Sequence, residues 1–188
     1  MKILNFGSLN IDYVYSVDHF VQKGETISSS QMNIFSGGKG LNQSVALGRA
    51  GAKVFHGGRI GKGGEFLVEQ LKESGVNTDL VVLDEGCSTG HAIIQNDAEG
   101  DNCILLYGGA NQRITKEQID DTLSHFEAGD YVGLQNEINN LPYLMEKAAK
   151  KQMNIVLNPS PMDEKIKALP LDKVTLFFVN EIEAAQIL

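Results

Sequence analysis

The stretch Ser36-Gly37-Gly38-Lys39-Gly40-Leu41-Asn42-Gln43-Ser44-Val45-Ala46-Leu47-Gly48-Arg49-Ala50-Gly51 limits what this chain can fold into more than any other. Three glycines surround one lysine, and a small-residue, apolar run follows that reads as a packed helix. Gly37, Gly38 and Gly40 let the backbone pass close to a ligand and take positive φ. Free N–H groups at a helix start favour oxygen-rich or anionic groups. Lys39 adds a mobile positive donor, and Asn42, about one turn further on, a two-faced amide. Val45, Leu47 and Ala50 are expected to face protein, with Gly48 and Gly51 permitting close approach. The spacing is neither the nucleotide P-loop nor the dinucleotide fingerprint. Taken alone, it also suits a loop that merely turns the chain.

Bulk charge narrows the partners. The formal net charge of −8 argues against nucleic acid or an anionic membrane as the main partner. It leaves an anionic small substrate open, because that needs only local positive charge. No apolar run approaches a membrane span, and Met1 to Gly7 reads as a strand rather than a signal peptide. Cys87 and Cys103 lack metal-ligand spacing and are expected as free, buried or half-buried thiols of a cytoplasmic protein. A length of 188 residues suits one domain or a domain with a small appendage.

Along the chain, 2–8 reads as an apolar strand, with Asn10 and Asp12 on one face of the extended segment beyond it. An Asx turn is the alternative there. Short alternating runs at 12–18 and 31–36, and a hairpin of 89–96 and 101–107 around Gly100, are expected to form one small sheet with a polar face. Strands are expected over 53–60, 80–83, 131–134, 154–157 and 173–179, with 131–134 buried and the last read as all-apolar. Helices are expected over 65–74, with Phe66, Leu67 and Leu71 inward, over 141–152 with Pro142 in its first turn, and from 181. Another starts at Thr115, where Gln118 completes a capping box. Continuous apolar strands alternating with helices indicate an α/β fold with a mostly parallel sheet. The chain stops at Leu188 inside an apparent helix, so a fragment of a longer protein is expected.

Polar residues recur at strand ends: Asn10 and Asp12; Gly38, Lys39 and Asn42; Glu137; Asn158; Asn180 and Glu183. In a parallel sheet these ends share one rim. Two carboxylates, a lysine and several amides suit a polyhydroxylated ligand. Individually, Lys39 also suits a solvated loop, Glu137 a cap, and Glu183 an ordinary first-turn helix acid.

In order, Gly7-Ser8-Leu9-Asn10-Ile11-Asp12, Gly24-Glu25-Thr26, Gly37-Gly38-Lys39-Gly40-x-Asn42-Gln43 with Ala46-x-Gly48-Arg49-x-Gly51, Ser88-Thr89-Gly90, Gly109-Ala110-Asn111, Asn158-Pro159-Ser160-Pro161 and Asn180-Glu181-x-Glu183 resemble the N-terminal part of ribokinase-family (PfkB-type) carbohydrate kinases. The resemblance covers nearly the whole chain. It implies a ribokinase-like α/β fold: a mostly parallel central sheet flanked by helices, carrying a small four-stranded β lid, incomplete over 1–188. By the same resemblance, Asn10, Asp12, Gly38, Lys39, Asn42 and Glu137 hold sugar hydroxyls, Asn180 reaches the nucleotide, and Glu183 acts indirectly on Mg2+. The implied reaction passes the γ-phosphoryl group of ATP to a sugar hydroxymethyl oxygen, with ribose the first candidate and a homodimer built through the lid. A fructose or nucleoside kinase of the same family, or a catalytically silent sugar-binding or dimerising module, are the alternatives. The family's catalytic base, most of its adenine site and its K+ loop fall C-terminal to Leu188. Gly63 stands where the family often has an aspartate.

Overall fold

A computed structural model describes residues 1–187. In chain order the elements are β1 (Ile3–Phe6), β2 (Asn10–Ser16), β3 (Gln31–Gly37), α1 (Lys39–Arg49), β4 (Val54–Lys62), α2 (Glu65–Glu73), β5 (Asn77–Ser88), β6 (Gly90–Asn96), β7 (Asn102–Tyr107), α3 (Lys116–Ser124), β8 (Tyr131–Gln135), α4 (Leu141–Lys150), β9 (Asn154–Asn158), β10 (Leu176–Phe177) and α5 (Glu181–Ile187). Among the described residues, six strands form a sheet in the order β10-β9-β8-β1-β4-β5, and each of its pairings is parallel. The expected α/β class, with a parallel central sheet, is therefore present.

Period-two alternation sorts the sheet's side chains. Leu4, Phe6, Val132, Leu134, Ile155 and Leu157 bury on one face against Ile119, Leu123, Leu141, Leu144 and Met145 of α3 and α4. A second cluster joins Leu9, Ile11, Val54 and Ile60 to Leu41, Leu67 and Leu71 of α1 and α2. Phe66 is 41% exposed rather than inward. In α1 the buried residues are Gly40, Leu41 and Ser44; Val45 and Leu47 are half-buried and Ala50 is exposed. Gly48 is a close approach, since a Cβ there would stand 2.9 Å from Val76 Cγ2, whereas Gly51 has open space and simply takes φ +82.

Other expectations shift. Thr115 caps α3 by accepting from Gln118 N at 3.1 Å, but the Gln118 side chain turns away. It donates to Gly58 O at 2.7 Å and accepts from Arg59 Nε at 3.0 Å, so the reciprocal half of the box is not made. Within 173–179 only Leu176 and Phe177 pair, at the sheet edge, and Leu176, Phe178 and Val179 are exposed. Both cysteines are free, with Cys103 exposed rather than buried.

The second sheet has the order β3-β2-β6-β7 and is mixed, with β2 and β6 parallel and the outer pairs antiparallel. The hairpin and the two earlier runs meet as expected; the face of Asn10 and Asp12 also carries Gln31, Asn33, Ser16, Asn96 and Asn102, while apolar rows cross both faces. One row reads Ile34-Tyr13-Ile93-Leu105, and the next, on the opposite face, Phe35-Asp12-Ala92-Leu106. Ile34, Phe35, Leu105 and Leu106 are all exposed.

Candidate functional site

The site forms where β1 ends and α1 begins. A Cβ on Gly40 would stand 2.5 Å from Gly7 C, so only glycine lets the helix lie against the strand end. Gly38 takes φ +94, the left-handed turn that starts α1. Leu41 N donates to Ser8 O at 2.9 Å, and Gly40 N donates to Ser8 Oγ at 3.2 Å. Gly38 supplies no side-chain cap. The cap comes from Glu137, just beyond β8: its carboxylate accepts from Lys39 N at 2.9 Å, from Lys39 Nζ at 3.1 Å and from Ser8 Oγ. Glu137 is thus a cap, though of α1 rather than of its own segment. Its side chain is 7% exposed against 37% for Lys39, so the lysine keeps donors free at the mouth.

Asp12 is different. Its carboxylate lies over the Cα of Gly37, where a Cβ would collide with it. No protein donor reaches it among the described residues. Burial, and secondarily the charge of Glu137, raise its pKa above the ordinary value. The carboxylate is thus half-buried, without a protein donor among the described residues and within electrostatic reach of Glu137, which leaves its oxygens open to donors from outside. Asn10 is nearly buried, and its Oδ1 accepts from Asn111 Nδ2 at 2.7 Å. Asn42 is exposed one turn into α1. Five expected residues (Asn10, Asp12, Gly38, Lys39 and Glu137) therefore come together, with Asn42 on the next turn.

Asn180 and Glu183 sit elsewhere, at the start of α5. Asn180 N donates to Glu183 Oε2 at 3.2 Å, and Glu183 N donates to Asn180 Oδ1 at 2.8 Å. That is a reciprocal capping box. It leaves one Glu183 oxygen and the exposed Asn180 amide nitrogen open.

Sequence reasoning missed what supports the site. Asn5 Nδ2 donates to Gly40 O at 2.6 Å and to Ser44 Oγ at 2.8 Å, and Gln135 Nε2 donates to Asn5 Oδ1 at 2.8 Å. Ser44 Oγ contacts His56 Nδ1 at 2.7 Å. Burial lowers the His56 pKa to about 4. The available signal was a polar residue between Leu4 and Phe6 in an apolar strand. A groove of about 390 Å3 lined by Ile3, Asn5, Gln43, Leu47, Tyr131 and Val156 is mainly apolar and does not contain the Asp12 cluster.

Comparisons with known proteins identify the family and the fold. Residues 1–188 match the pfkB family carbohydrate kinase domain. Staphylococcus aureus ribokinase is 33% identical over 97% of this chain and 62% of its own length. Cryptococcus neoformans ribokinase, solved with ADP, superposes with a TM-score of 0.83 at 34% identity, covering 99% of this chain and 60% of that one. Arabidopsis thaliana ribokinase, solved with ribose and ATP, gives 0.82 at 25% identity over 99% and 62%. The chain thus spans about three fifths of the length of these relatives. With the motif order, the two sheets and the domain match in accord, this chain belongs to the pfkB family of carbohydrate kinases.

Proposed function

We propose that this chain carries the sugar-recognising part of an ATP-dependent kinase that phosphorylates a sugar hydroxymethyl group, with ribose as the first substrate to test. The observation that carries the reading is the unpartnered Asp12 carboxylate, half-buried beside the Lys39–Glu137 pair and Asn10. A sugar hydroxyl donates to Asp12 while its oxygen accepts from Lys39 Nζ, Asn10 or Asn42. Each vicinal diol can bridge such a pair of opposite polarity, and positioning of this kind is most of what phosphoryl transfer asks of a protein. Glu137 contributes twice, by capping α1 and by fixing the Lys39 ammonium.

ATP and Mg2+ supply the phosphoryl group and charge neutralisation when bound. The open oxygen of Glu183 and the amide nitrogen of Asn180 fit an indirect contact to a phosphate or a metal-bound water. The catalytic base and any K+ site lie outside these residues in this reading. Among the described residues, no helix is long and apolar enough to cross a membrane. The lid's exposed Ile34, Phe35, Leu105 and Leu106 favour a homodimer formed lid to lid.

Titration calorimetry with ribose, fructose and adenosine, on the unaltered protein and on Asp12→Ala and Lys39→Ala, tests this. Ribose binding that both substitutions abolish supports the reading. Tighter binding of fructose or adenosine moves the substrate within the family. Sugar binding without ATP turnover in the longest natural form of the chain favours a silent binding module, and binding indifferent to both substitutions moves the site elsewhere.

A further inference from the structure

Asn111, in the short 3-10 helix Gly109–Gln112, is 1% exposed. Its whole carboxamide is spent on the junction between β1 and β2. The Oδ1 accepts from Leu9 N at 3.0 Å, and the Nδ2 donates to Leu9 O at 3.2 Å and to Asn10 Oδ1 at 2.7 Å. The last bond decides what Asn10 can offer a ligand. A primary amide has one accepting end and one donating end. Oδ1 of Asn10 accepts from Asn111 and is packed against Gly90, so Nδ2 is the end left for a ligand. That nitrogen has no protein partner, yet it is absent from the fully buried, unpartnered side-chain atoms among the described residues, which are His56 Nε2 and Gln135 Oε1. Asn10 Nδ2 therefore keeps access to solvent. Gly90 holds the two amides together: a Cβ there would stand 2.5 Å from Asn10 Oδ1 and collide with Asn111 Nδ2. Turning the Asn10 amide over would set two NH2 groups against each other, leaving a buried donor unsatisfied.

We propose that Asn111 is a positioning residue that sets the polarity of Asn10: it holds Oδ1 against itself and Gly90, so that Asn10 turns its Nδ2 donor to the site and reads an accepting oxygen of the sugar. This rests on the sugar-site reading above. Asp12, two residues along the same face of β2, presents acceptors only when ionised. The two together demand a ligand edge that both accepts and donates. A hydroxyl meets either demand, whereas a fluorine can meet only that of Asn10, and a hydrogen meets neither. The site would thus separate hydroxyl, fluoro and deoxy sugars in an order fixed by a residue that does not touch the sugar.

Asn111→Asp tests this while keeping the size of the side chain and the acceptor for Leu9 N. The new carboxylate cannot donate, so Asn10 turns to donate its Nδ2 to it and exposes Oδ1 instead. Asn10→Asp reaches the same inverted polarity by another route, because its carboxylate accepts from Asn111 and shows its other oxygen to the ligand. Calorimetry with ribose and its monodeoxy and monofluoro analogues is expected to show both variants losing about tenfold or more in ribose affinity. Both should also change the order of the analogues in the same way. A ligand-independent readout is hydrogen exchange at the Asn10 side-chain amide, followed by NMR. Exchange is expected to be fast in the unaltered protein and slowed in Asn111→Asp. If Asn111→Asp lowers thermal stability but leaves both the analogue order and the Asn10 exchange unchanged, its role is structural only and the inference is overturned. Absence of sugar binding by the unaltered protein overturns the site reading, and this inference with it. Normal binding with an unchanged analogue order in the variant overturns this inference alone.

Discussion

The carboxylate of Glu137 accepts from the main-chain nitrogen of Lys39 at 2.9 Å and from the ammonium of the same residue at 3.1 Å. One acceptor thus starts a helix and aims its first side chain. Because Glu137 is buried, removing it strands the Lys39 N–H and the Ser8 hydroxyl together. Glu137→Ala is expected to lower the unfolding free energy by about 2–3 kcal/mol, the range for lost hydrogen bonds to a charged acceptor. Glu137→Gln, which keeps one oxygen, should lose less. Urea denaturation of the three proteins decides this, and equal midpoints would remove Glu137 from its capping role.

Asp12 should behave in the opposite way. Its raised pKa, caused by burial and then by Glu137, means that the folded state holds that proton more tightly than the unfolded chain. Its contribution to stability is therefore greatest at low pH and declines as pH rises through the raised pKa. At pH 7 the ionised group is a burden on the fold, so Asp12→Asn is expected to raise the urea midpoint while ribose affinity falls at least about tenfold. A variant that is both less stable and unimpaired in binding contradicts both halves.

His56 gives a pH dependence of the other sign. Its pKa falls from 6.5 to about 4 on burial. Between those values the unfolded chain binds the proton and the folded protein does not. Stability is full above about pH 6.5 and is lost as pH drops towards 4, by up to about 3 kcal/mol. Denaturation at pH 7 and pH 4.5 measures the loss, and in His56→Phe that share of the slope should vanish whatever the baseline stability.

Two glycines of the opening motif separate close approach from backbone conformation. Gly40→Ala forces a methyl to 2.5 Å from Gly7 C and should destabilise by several kcal/mol, at the upper end of single substitutions. Gly51→Ala meets no atom within 4 Å and strains only a φ of +82, at about 1 kcal/mol. Thermal melts of the two variants should be well separated, and coincident melts would refute the distinction.

The fold was legible where one rule acted alone. Alternation in β1 and the spacing of Leu67 and Leu71 led to the two cores, and the hairpin around Gly100 to the second sheet. The motif glycines and the strand-end residues pointed to five residues that the fold does bring near one another. What escaped depended on partners distant in sequence. Gln118 fits a local capping box, yet its amide is claimed by Gly58 and Arg59. Phe66 has the right period but sits at the rim of its helix face. Asn111 reads as a turn residue because its targets, Leu9 and Asn10, lie a hundred positions earlier. The run 173–179 reads as one long strand, but only Leu176 and Phe177 join the sheet, at its edge, where neighbours cover one side alone.

β2 belongs to two bodies at once. Its first residues, Asn10 and Asp12, belong to the candidate site, and its whole length is paired with β3 on one side and β6 on the other. At Leu9, just before it, both ends of the Asn111 amide tie the chain down. The candidate site and the second sheet are therefore covalently one strand, and on the reading proposed above a contact that stiffens β3 or β6 bears on the placement of Asp12 as well as on the sheet.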